Sequence, residues 1–413
     1  MVAGVEVPID TSANAEAMAE AIFGVSVQVV SATYTGDPDS SGIYDDTNND
    51  APGVVPGPTG VILSTGDTSA FTNNNASQSN LNTGTTTGSS GPTNVQDFND
   101  AAGASTFDAS FLDVTFIPDG DVMTMQFVFA SEEYPEFTNS QFQDFVGVWV
   151  NDQFVDLAVG DGDVDPGNLN SNDNANLFQD NTADQLNTEM DGVTITLTLK
   201  MNVNAGVENT IRIGIADVDD NNYDSTLLIA GDSIQTDLIA NDDDLTMAPD
   251  AIKTFDILGN DDNATGGTLF ITHINGQSVT VGVPITLPSG QDVTVNSDGT
   301  ITIESDSDEE TVNFTYQVES TTGESDVAFI TLNSVPCFVA ETLILTDQGE
   351  RPVEELQVGD LVVTKDRGPQ PIRWIGHRQV AAMGAFAPVF IKAGTFGAHT
   401  DLAVSPLHRI LIK

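Results

Sequence analysis

The most reactive side chain in this sequence is a single thiol. Cys337 is the only cysteine among 413 residues, and it directly follows Pro336. A cysteine is a strong nucleophile even though only a small fraction is thiolate at neutral pH. Because the thiol is next to the Pro336 carbonyl, it can attack that carbonyl through a five-membered ring at a high effective concentration. The sequence therefore contains the elements of an N-to-S acyl shift, in which a peptide bond becomes a thioester.

Such a shift also needs a group that delivers a proton. The leaving group is the amine of Cys337 itself, and a histidine is the usual general acid. His408 lies in the later segment Ser405-Pro406-Leu407-His408-Arg409, in which the Ser405 hydroxyl could polarise or orient the scissile bond. From the residues alone, the alternative is that Cys337 is an inert buried thiol, a common fate of free cysteine.

The segments around these residues resemble the Hint module of Hedgehog proteins and inteins, particularly its bacterial form. The resemblance rests on four segments in the order of the module, which are Cys337-Phe338 with Thr342-Leu343-Ile344, Arg351-Pro352-Val353-Glu354-Glu355-Leu356-Gln357-Val358-Gly359-Asp360, Pro371-Ile372-Arg373-Trp374-Ile375-Gly376, and Ser405-Pro406-Leu407-His408-Arg409-Ile410-Leu411. It implies an all-β horseshoe fold over residues 335–413, with Cys337 as nucleophile and His408 activating the Pro336–Cys337 bond. It implies no cofactor for processing.

Three positions depart from the usual form of the module. Ser405 takes the place where the family usually has threonine, Glu341 stands where glycine or aspartate is more common, and Pro336 is the acyl residue. The sequence reaches Lys413 soon after the histidine segment, so we expect a truncated, N-terminal part of the module. The expected activity is the first acyl shift, a single-turnover self-processing reaction and not complete splicing.

The charge of the chain is strongly acidic and unevenly distributed. The formal net charge is −51, and residues 1–336 hold 3 basic residues against 54 acidic ones, whereas residues 337–413 hold 8 of each. Such a surface repels phosphate backbones and anionic lipids, so we expect no nucleic-acid partner. It favours divalent cations or a saline medium, although a simply solvated acidic surface is the plainer explanation.

The sequence carries no signal that fixes its compartment directly. No run of 18 apolar residues occurs, so we expect no membrane span. The first basic residue is Lys200, so we expect no N-terminal secretory signal peptide. A single cysteine excludes internal disulfides and a cysteine-based zinc site. We expect an extracellular or cell-surface protein whose export does not use an N-terminal signal peptide.

The elements that carry these residues are predicted to be almost entirely β-strands. One short amphipathic helix is predicted over residues 11–23, with Thr11 or Ser12 as its N-cap and Gly24 after its end. Residues 35–105 are dominated by Gly, Ser, Thr, Asn, Asp and Pro, and we expect long loops there, with one strand near residues 60–66. Alternating apolar residues predict strands at 25–29, 111–117, 123–129, 146–150, 193–199, 211–215 and 227–230. The pattern predicts an antiparallel β-sandwich over residues 1–238.

Several motifs in this first region resemble the choice-of-anchor L domain, a β-sandwich of bacterial extracellular proteins. The motifs are Leu63-Ser64-Thr65-Gly66, Phe129-Ala130-Ser131-Glu132-Glu133-Tyr134-Pro135-Glu136-Phe137, Asp144-Phe145-Val146-Gly147-Val148-Trp149, Ile215-Ala216-Asp217-Val218-Asp219-Asp220 and Tyr223-Asp224-Ser225. The resemblance implies a surface module and assigns it no chemistry.

Two groups of acidic residues in the sandwich have the oxygen-rich composition that Ca²⁺ prefers. Asp161, Asp163 and Asp165 alternate along one stretch, and the second group comprises Asp217, Asp219, Asp220 and Asp224. The first group does not fit the EF-hand pattern. Ca²⁺ is therefore a candidate cofactor, and the alternative is that these are loop carboxylates in water.

A second β unit is predicted over residues 239–334. Its hairpins turn at Asn275-Gly276 and Asp298-Gly299, each between alternating apolar residues. The segments Asp256-Ile257-Leu258-Gly259-Asn260-Asp261 and Phe314-Thr315-Tyr316 resemble the cadherin-like or Ig-like repeats of bacterial surface proteins. The resemblance implies a spacer domain.

Two functions follow, and they belong to different classes. In the first, an autoproteolytic surface or exported protein forms a thioester at Pro336–Cys337 and releases or transfers residues 1–336, so that its own N-terminal segment is the substrate. In the second, the chain is a non-enzymatic acidic adhesion or matrix protein with surface or matrix partners, stabilised by calcium and carrying an inactive Hint tail. A Cys337→Ala substitution separates them because it removes only the nucleophile.

Overall fold

The computed structural model describes residues 2–82, 84–308, 310–334, 338, 340, 342–364, 367–373, 375, 389–395 and 402–404. It falls into two compact units. One comprises residues 1–244, 254–303 and 312–331, and the other comprises residues 245–253, 304–311 and 332–413. Within the described residues nearly all regular structure is β, which confirms the predicted fold class.

The first helix, α1 (Ala15–Ile22), is amphipathic as predicted, and it buries Met18, Ala19 and Ile22. The predicted N-cap is wrong. Asn14 caps the helix, because its side-chain oxygen accepts a hydrogen bond from the Ala17 backbone N–H at 2.9 Å. Ser12 instead donates its hydroxyl to Asp10 Oδ1 at 2.6 Å, so its side chain is used in the preceding turn.

The N-terminal region is a sandwich of two antiparallel sheets. Its strands are β1 (Ile9–Asp10), β2 (Val27–Thr35), β3 (Ser41–Asp45), β4 (Thr59–Ser64), β5 (Thr106–Pro118), β6 (Val122–Ser131), β7 (Phe145–Val150), β8 (Gln153–Phe154), β9 (Phe178–Asp180), β10 (Gly192–Thr194), β11 (Leu197–Asn202), β12 (Asn209–Val218) and β13 (Ser225–Ala230). The first sheet has the order β1-β3-β4-β13-β6-β10-β9, with β11 also paired to β6, and the second has the order β2-β5-β12-β7-β8. The pairing of β2 with β5 shifts register between Val29 and Ser31.

The core of the sandwich lies between the two sheets. Its buried side chains alternate along the strands and include Phe127, Phe129, Leu227 and Ile229 from the first sheet and Leu112, Val114, Phe116, Ile211, Ile213 and Ile215 from the second. Full burial of one such side chain stabilises the fold by about 1.5–3 kcal/mol relative to leaving it exposed. The buried face of α1 joins the same core. The period of two that predicted these strands therefore corresponds to side chains that face the opposite sheet.

Three local predictions for the sandwich are wrong. The sequence predicts one helix, yet a second, α2 (Gln96–Ala102), lies within the predicted loop region. Its single buried residue, Phe98, packs on Trp149 with ring centroids 4.8 Å apart, so the helix depends on a tertiary contact. Val25 is 96% exposed and precedes the strand. The continuous strand predicted at 193–199 is divided into β10 and β11.

The region predicted as the second β unit, residues 239–334, contains the predicted hairpins. Its strands are β14 (Leu238–Ile239), β15 (Asp243–Met247), β16 (Ile252–Phe255), β17 (Asp262–Asn263), β18 (Leu269–Ile274), β19 (Gln277–Ser278), β20 (Pro284–Thr286), β21 (Asp292–Val295), β22 (Ile301–Glu304), β23 (Glu310–Ser320) and β24 (Ser325–Ser334). Strands β18 and β19 pair around Asn275 and Gly276, whose φ angles are 49° and 70°. Positive φ at both central residues is what a type I′ turn requires, and asparagine followed by glycine adopts it readily.

Asp326 is a fully buried carboxyl group of this unit. Its Oδ2 accepts a hydrogen bond from the Ala240 backbone N–H at 2.8 Å. Burial raises the pKa of Asp326 to about 7, an effect that its hydrogen bonds and the charge of Lys200 oppose. The folded protein therefore holds this proton more tightly than the unfolded chain does. As the pH rises from about 4 to about 7, ionisation of this group lowers the free energy of unfolding. The total decrease over this range is about 4 kcal/mol.

We expect Asp326→Asn to remove that contribution. Asparagine keeps the acceptor for the Ala240 N–H and does not ionise, so the variant should gain stability relative to the parent as the pH rises from 4.5 to 8. Urea unfolding across this range measures the difference. The exposed Asp119→Asn is the matched control, and it should follow the parent. Parallel pH profiles for Asp326→Asn and the parent would contradict the assignment.

The C-terminal segment is also β in its described residues. Strands β25 (Leu343–Thr346), β26 (Gly349–Pro352), β27 (Leu361–Thr364) and β28 (Gly368–Pro371) form a sheet of order β26-β25-β27-β28, and β29 (Val389–Ile391) pairs with β30 (Leu402–Val404). Arg351 closes the turn between β26 and β27 through an ion pair with Asp360 at 2.9 Å. This agrees with the all-β fold that the resemblance implies for residues 335–413.

Candidate functional site

The four residues predicted for the acyl shift lie outside the described residues. They are Pro336, Cys337, Ser405 and His408. Their predicted roles as scissile bond, nucleophile, orienting hydroxyl and general acid therefore remain predictions.

The described neighbours of these residues are paired with each other. Phe338 forms an isolated antiparallel bridge with Val404, the last residue of β30. Next to this bridge, the Thr342 hydroxyl donates a hydrogen bond to the Ala403 carbonyl at 3.1 Å. Residues opposite each other in an antiparallel pair have Cα atoms about 4.5–5.5 Å apart. The residue after the predicted nucleophile and the residue before the predicted orienting hydroxyl thus share one bridge.

A second group of chemically active residues lies at one end of the sandwich. The strands that carry the five sandwich motifs are neighbours in the two sheets, with Ser225 opposite Ser131, Thr226 opposite Ser64 and Ala216 opposite Phe145. This register gathers five carboxyl groups at the ends of the strands. We call this set the acidic end, and its members are Glu132, Glu133, Asp144, Asp217 and Asp224.

All five side chains of the acidic end are buried. Their exposed fractions are 1% for Glu132, Glu133 and Asp144, 2% for Asp217 and 4% for Asp224. Acidic residues are rarely buried to this degree unless they are paired or coordinate a metal ion. This burial distinguishes the acidic end from the many solvated carboxylates of the chain.

Asp144 connects the two sheets through hydrogen bonds. Its Oδ1 accepts a hydrogen bond from the Val218 backbone N–H at 3.0 Å, and its Oδ2 accepts one from the Ser225 hydroxyl at 2.8 Å. Because the Ser225 proton is used in that bond, the Ser225 oxygen accepts a hydrogen bond from the Ser131 hydroxyl at 2.8 Å. Val218 belongs to the second sheet, and Ser131 and Ser225 belong to the first, so this network ties the sheets together at their ends.

Several oxygens of the acidic end have no hydrogen-bond partner of good geometry. They are both carboxyl oxygens of Glu132, Oε2 of Glu133 and Oδ1 of Asp217. Asp224 differs, because it accepts hydrogen bonds from the Thr87 backbone N–H and hydroxyl. A buried acceptor without a partner costs about 1–3 kcal/mol, and more when it is charged. The unpartnered oxygens therefore need a proton or a cation.

Burial dominates the electrostatics of these groups. It raises the pKa of Glu132 to about 9 and that of Asp224 to about 6. It also raises the pKa of Glu133, Asp144 and Asp217, and the negative charge of Asp144 is the second cause for both Glu133 and Asp217. The charge of Asp144 therefore acts on both Glu133 and Asp217.

The predicted calcium groups are only partly reflected in this arrangement. Asp217 and Asp224 belong to the acidic end, whereas Asp219 is exposed and Asp220 is half-buried. In the other group, Asp165 uses Oδ1 to accept the Asn168 backbone N–H at 2.8 Å. Within the described ranges, no group of three or more His, Cys, Asp or Glu side chains is positioned to hold a metal ion. Calcium binding therefore remains a prediction.

Sequence reasoning did not identify Glu132, Glu133 and Asp144 as site residues, although it used them as motif residues. The sequence did contain one signal for a site at this position, because two adjacent glutamates directly follow the apolar strand Val122–Ser131. A strand end is usually solvated, so the sequence gives no reason to expect these side chains to be buried. Their burial depends on segments from distant parts of the chain, such as the one containing Thr85, which interacts with Glu132.

The described part of the chain contains no helix long and apolar enough to cross a membrane.

Three family models match the chain in succession. The choice-of-anchor L domain matches residues 8–235, the bacterial Ig domain matches residues 235–333, and the Hint domain matches residues 336–413. These matches confirm the three resemblances and their order along the chain.

Comparisons with individual proteins add little. No curated protein matches the chain. Among solved structures, the M60 catalytic domain with the CBM51-1 and CBM51-2 domains from Clostridium perfringens ZmpB is 9% identical, and the alignment covers 82% of this chain and 33% of that chain. The chain thus spans about a third of the length of that structure, and the TM-score of 0.16 carries no argument.

Proposed function

Because this chain belongs to the choice-of-anchor L domain family, we propose that it is a surface or exported protein. Its Hint domain would cut the bond that joins it to the N-terminal domains. Residues 1–336 would be the product that is released or transferred. The sandwich and the Ig-like unit would form the displayed part of that product. The choice-of-anchor L and Ig-like matches support a surface or exported location.

The proposed reaction begins at the Pro336–Cys337 bond. The Cys337 sulfur attacks the Pro336 carbonyl carbon, the carbon–nitrogen bond breaks, and the Cys337 amine leaves with a proton supplied by His408. Ser405 orients or polarises the amide. The product is a thioester between the Pro336 carbonyl and the Cys337 sulfur. Water or another nucleophile then replaces the sulfur, which returns Cys337 as a thiol. No cofactor takes part.

The observation that carries this proposal is the extent of the Hint match. The matched segment begins at residue 336, so the bond between its first two residues is the proposed scissile bond. The Phe338–Val404 bridge gives independent support, because it joins the two segments that contain the nucleophile and the orienting hydroxyl. A Hint domain that has lost its activity would give the same match, but it would not cleave the chain.

Hydroxylamine trapping tests the proposal directly. The complete product that includes these 413 residues is analysed by intact mass with and without neutral hydroxylamine, which converts a thioester into a hydroxamate. We expect a fragment ending at Pro336, or its hydroxamate. Hydroxylamine also cleaves some asparagine–glycine bonds, and cleavage at Asn275–Gly276 would give a clearly different mass. An intact chain in every sample would refute the proposal.

The second candidate function is a non-enzymatic adhesion or matrix protein with an inactive Hint tail. The matches that favour it are the sandwich and the Ig-like unit, which together cover residues 8–333 and need no self-cleavage to act at a surface. An intact chain in the hydroxylamine experiment would favour this function.

A further inference from the structure

We propose that the sandwich and the Ig-like unit form one cooperative body, in which the Ig-like unit is a structural part of the sandwich and not an independent spacer. Domains of one chain usually move relative to each other unless the interface between them is large and apolar. Here a buried junction, a shared apolar core and a buried polar network hold the two modules together. All the residues involved precede Pro336, so the body forms whether or not the Hint domain is active.

The junction between the two modules is buried. Leu238, Ile239 and Ala240 are 0%, 4% and 1% exposed. The first two of them form strand β14, which pairs with β17 of the Ig-like unit. Boundaries between independent domains usually fall in exposed, flexible segments that few contacts cross. A buried and paired junction instead fixes the Ig-like unit at the point where it leaves the sandwich.

The Ig-like unit also contributes a side chain to the core of the sandwich. Phe329 of β24 is 1% exposed, and it belongs to the same contiguous cluster of buried side chains as the sandwich core. At the start of β24, the Ser325 carbonyl accepts a hydrogen bond from Gln126 Nε2 of β6 at 2.8 Å. Separation of the modules would expose the Phe329 ring to water, so the hydrophobic effect opposes it.

Asn176 of the sandwich is the centre of a polar network that fixes the orientation of the Ig-like unit. Its side chain is 3% exposed. Its Nδ2 donates to the Asn313 carbonyl at 3.1 Å, and its Oδ1 accepts the Ser289 backbone N–H at 3.0 Å. Its own carbonyl accepts a hydrogen bond from Asn275 Nδ2 at 2.8 Å. One buried residue thus holds three separate segments of the Ig-like unit, and buried hydrogen-bonding groups are costly to leave without partners.

The docked arrangement creates a cleft to which both modules contribute. The cleft has a volume of about 330 Å³. Its lining includes Asp46, Val55 and Thr196 from the sandwich and His273, Thr315 and Gln317 from the Ig-like unit. The proposed product of processing would therefore present a composite surface that neither module has alone.

Urea unfolding followed at a single tryptophan tests the proposal. The chain contains two tryptophans, Trp149 in the sandwich and Trp374 in the segment matched by the Hint domain. Trp374→Phe therefore leaves a fluorescence signal that reports the sandwich alone. All proteins also carry Cys337→Ala, so that processing cannot change the chain and failure of the two proposals can be told apart.

Three matched valine-to-alanine substitutions are compared in this parent. Val293 is 0% exposed in the Ig-like unit, Val114 is 2% exposed in the sandwich, and Val281 is 57% exposed in the Ig-like unit. We expect Val293→Ala to lower the urea midpoint of the Trp149 signal by an amount comparable to that of Val114→Ala. Val281→Ala should leave the midpoint unchanged. Hydrogen exchange in peptides covering β21 verifies that Val293→Ala has weakened the Ig-like unit.

Faster exchange in β21 with an unchanged Trp149 midpoint would overturn the proposal, because the sandwich would then unfold independently of the Ig-like unit. If Val293→Ala prevents the Ig-like unit from folding, a native Trp149 signal would likewise overturn it, whereas loss of that signal would support it.

A substitution at the interface tests the contact itself. Asn176→Ala removes the two side-chain hydrogen bonds to the Ig-like unit, and the exposed Asn172→Ala, from the same loop, is the matched control. We expect Asn176→Ala to lower the Trp149 midpoint and to accelerate hydrogen exchange in peptides covering Ser289 and Asn313, while Asn172→Ala follows the parent. A lower midpoint without faster exchange in the Ig-like unit would contradict docking, because Asn176 would then act within the sandwich only.

Discussion

Replacing Cys337 by alanine is expected to abolish the release of residues 1–336. The substitution removes the sulfur that attacks the Pro336 carbonyl, and no other cysteine exists in the chain to replace it. Intact mass after hydroxylamine treatment should therefore show only the unprocessed chain, whereas the parent gives the fragment ending at Pro336. Release of the same fragment from the alanine variant would show that the bond is cut by another mechanism or by a contaminating protease.

The histidine variant extends this prediction to a graded effect. His408→Ala should slow formation of the fragment by about 10²–10⁴-fold, which is the range for loss of a general acid. Ser405→Ala should have a smaller effect, and Ser405→Thr should retain most of the rate. His273→Ala is the matched control, because His273 lies in β18, where its ring contacts the Thr272 and Ser278 hydroxyls. Equal rates for His408→Ala and His273→Ala would exclude His408 from the reaction.

Replacing Tyr134 by alanine is expected to destabilise the sandwich by about 3–5 kcal/mol, the usual cost of removing a large aromatic side chain from a core. Tyr134 is fully buried, and its ring packs on Phe178 and Phe129 with centroids 4.6 and 6.4 Å apart. Its hydroxyl donates to the Leu169 carbonyl at 2.6 Å. Tyr134→Phe keeps the ring and loses only this hydrogen bond, so its cost should be about 1–3 kcal/mol.

Chemical unfolding of the parent and the two Tyr134 variants measures the cost of losing the whole side chain and the cost of losing the hydrogen bond alone. Phe270→Ala is a suitable control, because Phe270 is 41% exposed and its loss should change the unfolding free energy little. A cost for Tyr134→Ala as small as that of Phe270→Ala would contradict the packing described for this residue.

The strands could be predicted because their side chains alternate. In β6 and β12, apolar residues at every second position face the opposite sheet, and the same period is visible in the sequence. Helix α2 could not be predicted in this way. It buries only Phe98, and its other residues have no apolar period, so its stability comes from contacts with Phe111, Phe145 and Trp149. Local sequence contains no information about such partners.

The candidate sites show the same division. The order of motifs after Cys337 was sufficient to predict a Hint domain, because that information is local. The acidic end was not predicted, since Asp144 and Asp217 approach each other only through the pairing of β7 with β12. A sequence shows which residues are acidic, whereas burial and shared position depend on register between distant strands. The sequence therefore suggested separate groups of loop carboxylates, whereas the structure buries Glu132, Glu133 and Asp144 together with Asp217 and Asp224.

The order of strands in the sandwich also bears on how the protein avoids self-association. In the first sheet, the end strands β1 and β9 have two and three residues, and β11, which pairs only with β6, has six. One outer strand of the second sheet, β8, has two residues. The other, β2, has nine residues, and its pairing is interrupted by the register shift after Val29. Exposed sheet edges recruit strands from other molecules, and short or bulged edges recruit them poorly. Most edges of this sandwich are thus short or bulged, which limits their pairing with the sheets of neighbouring molecules.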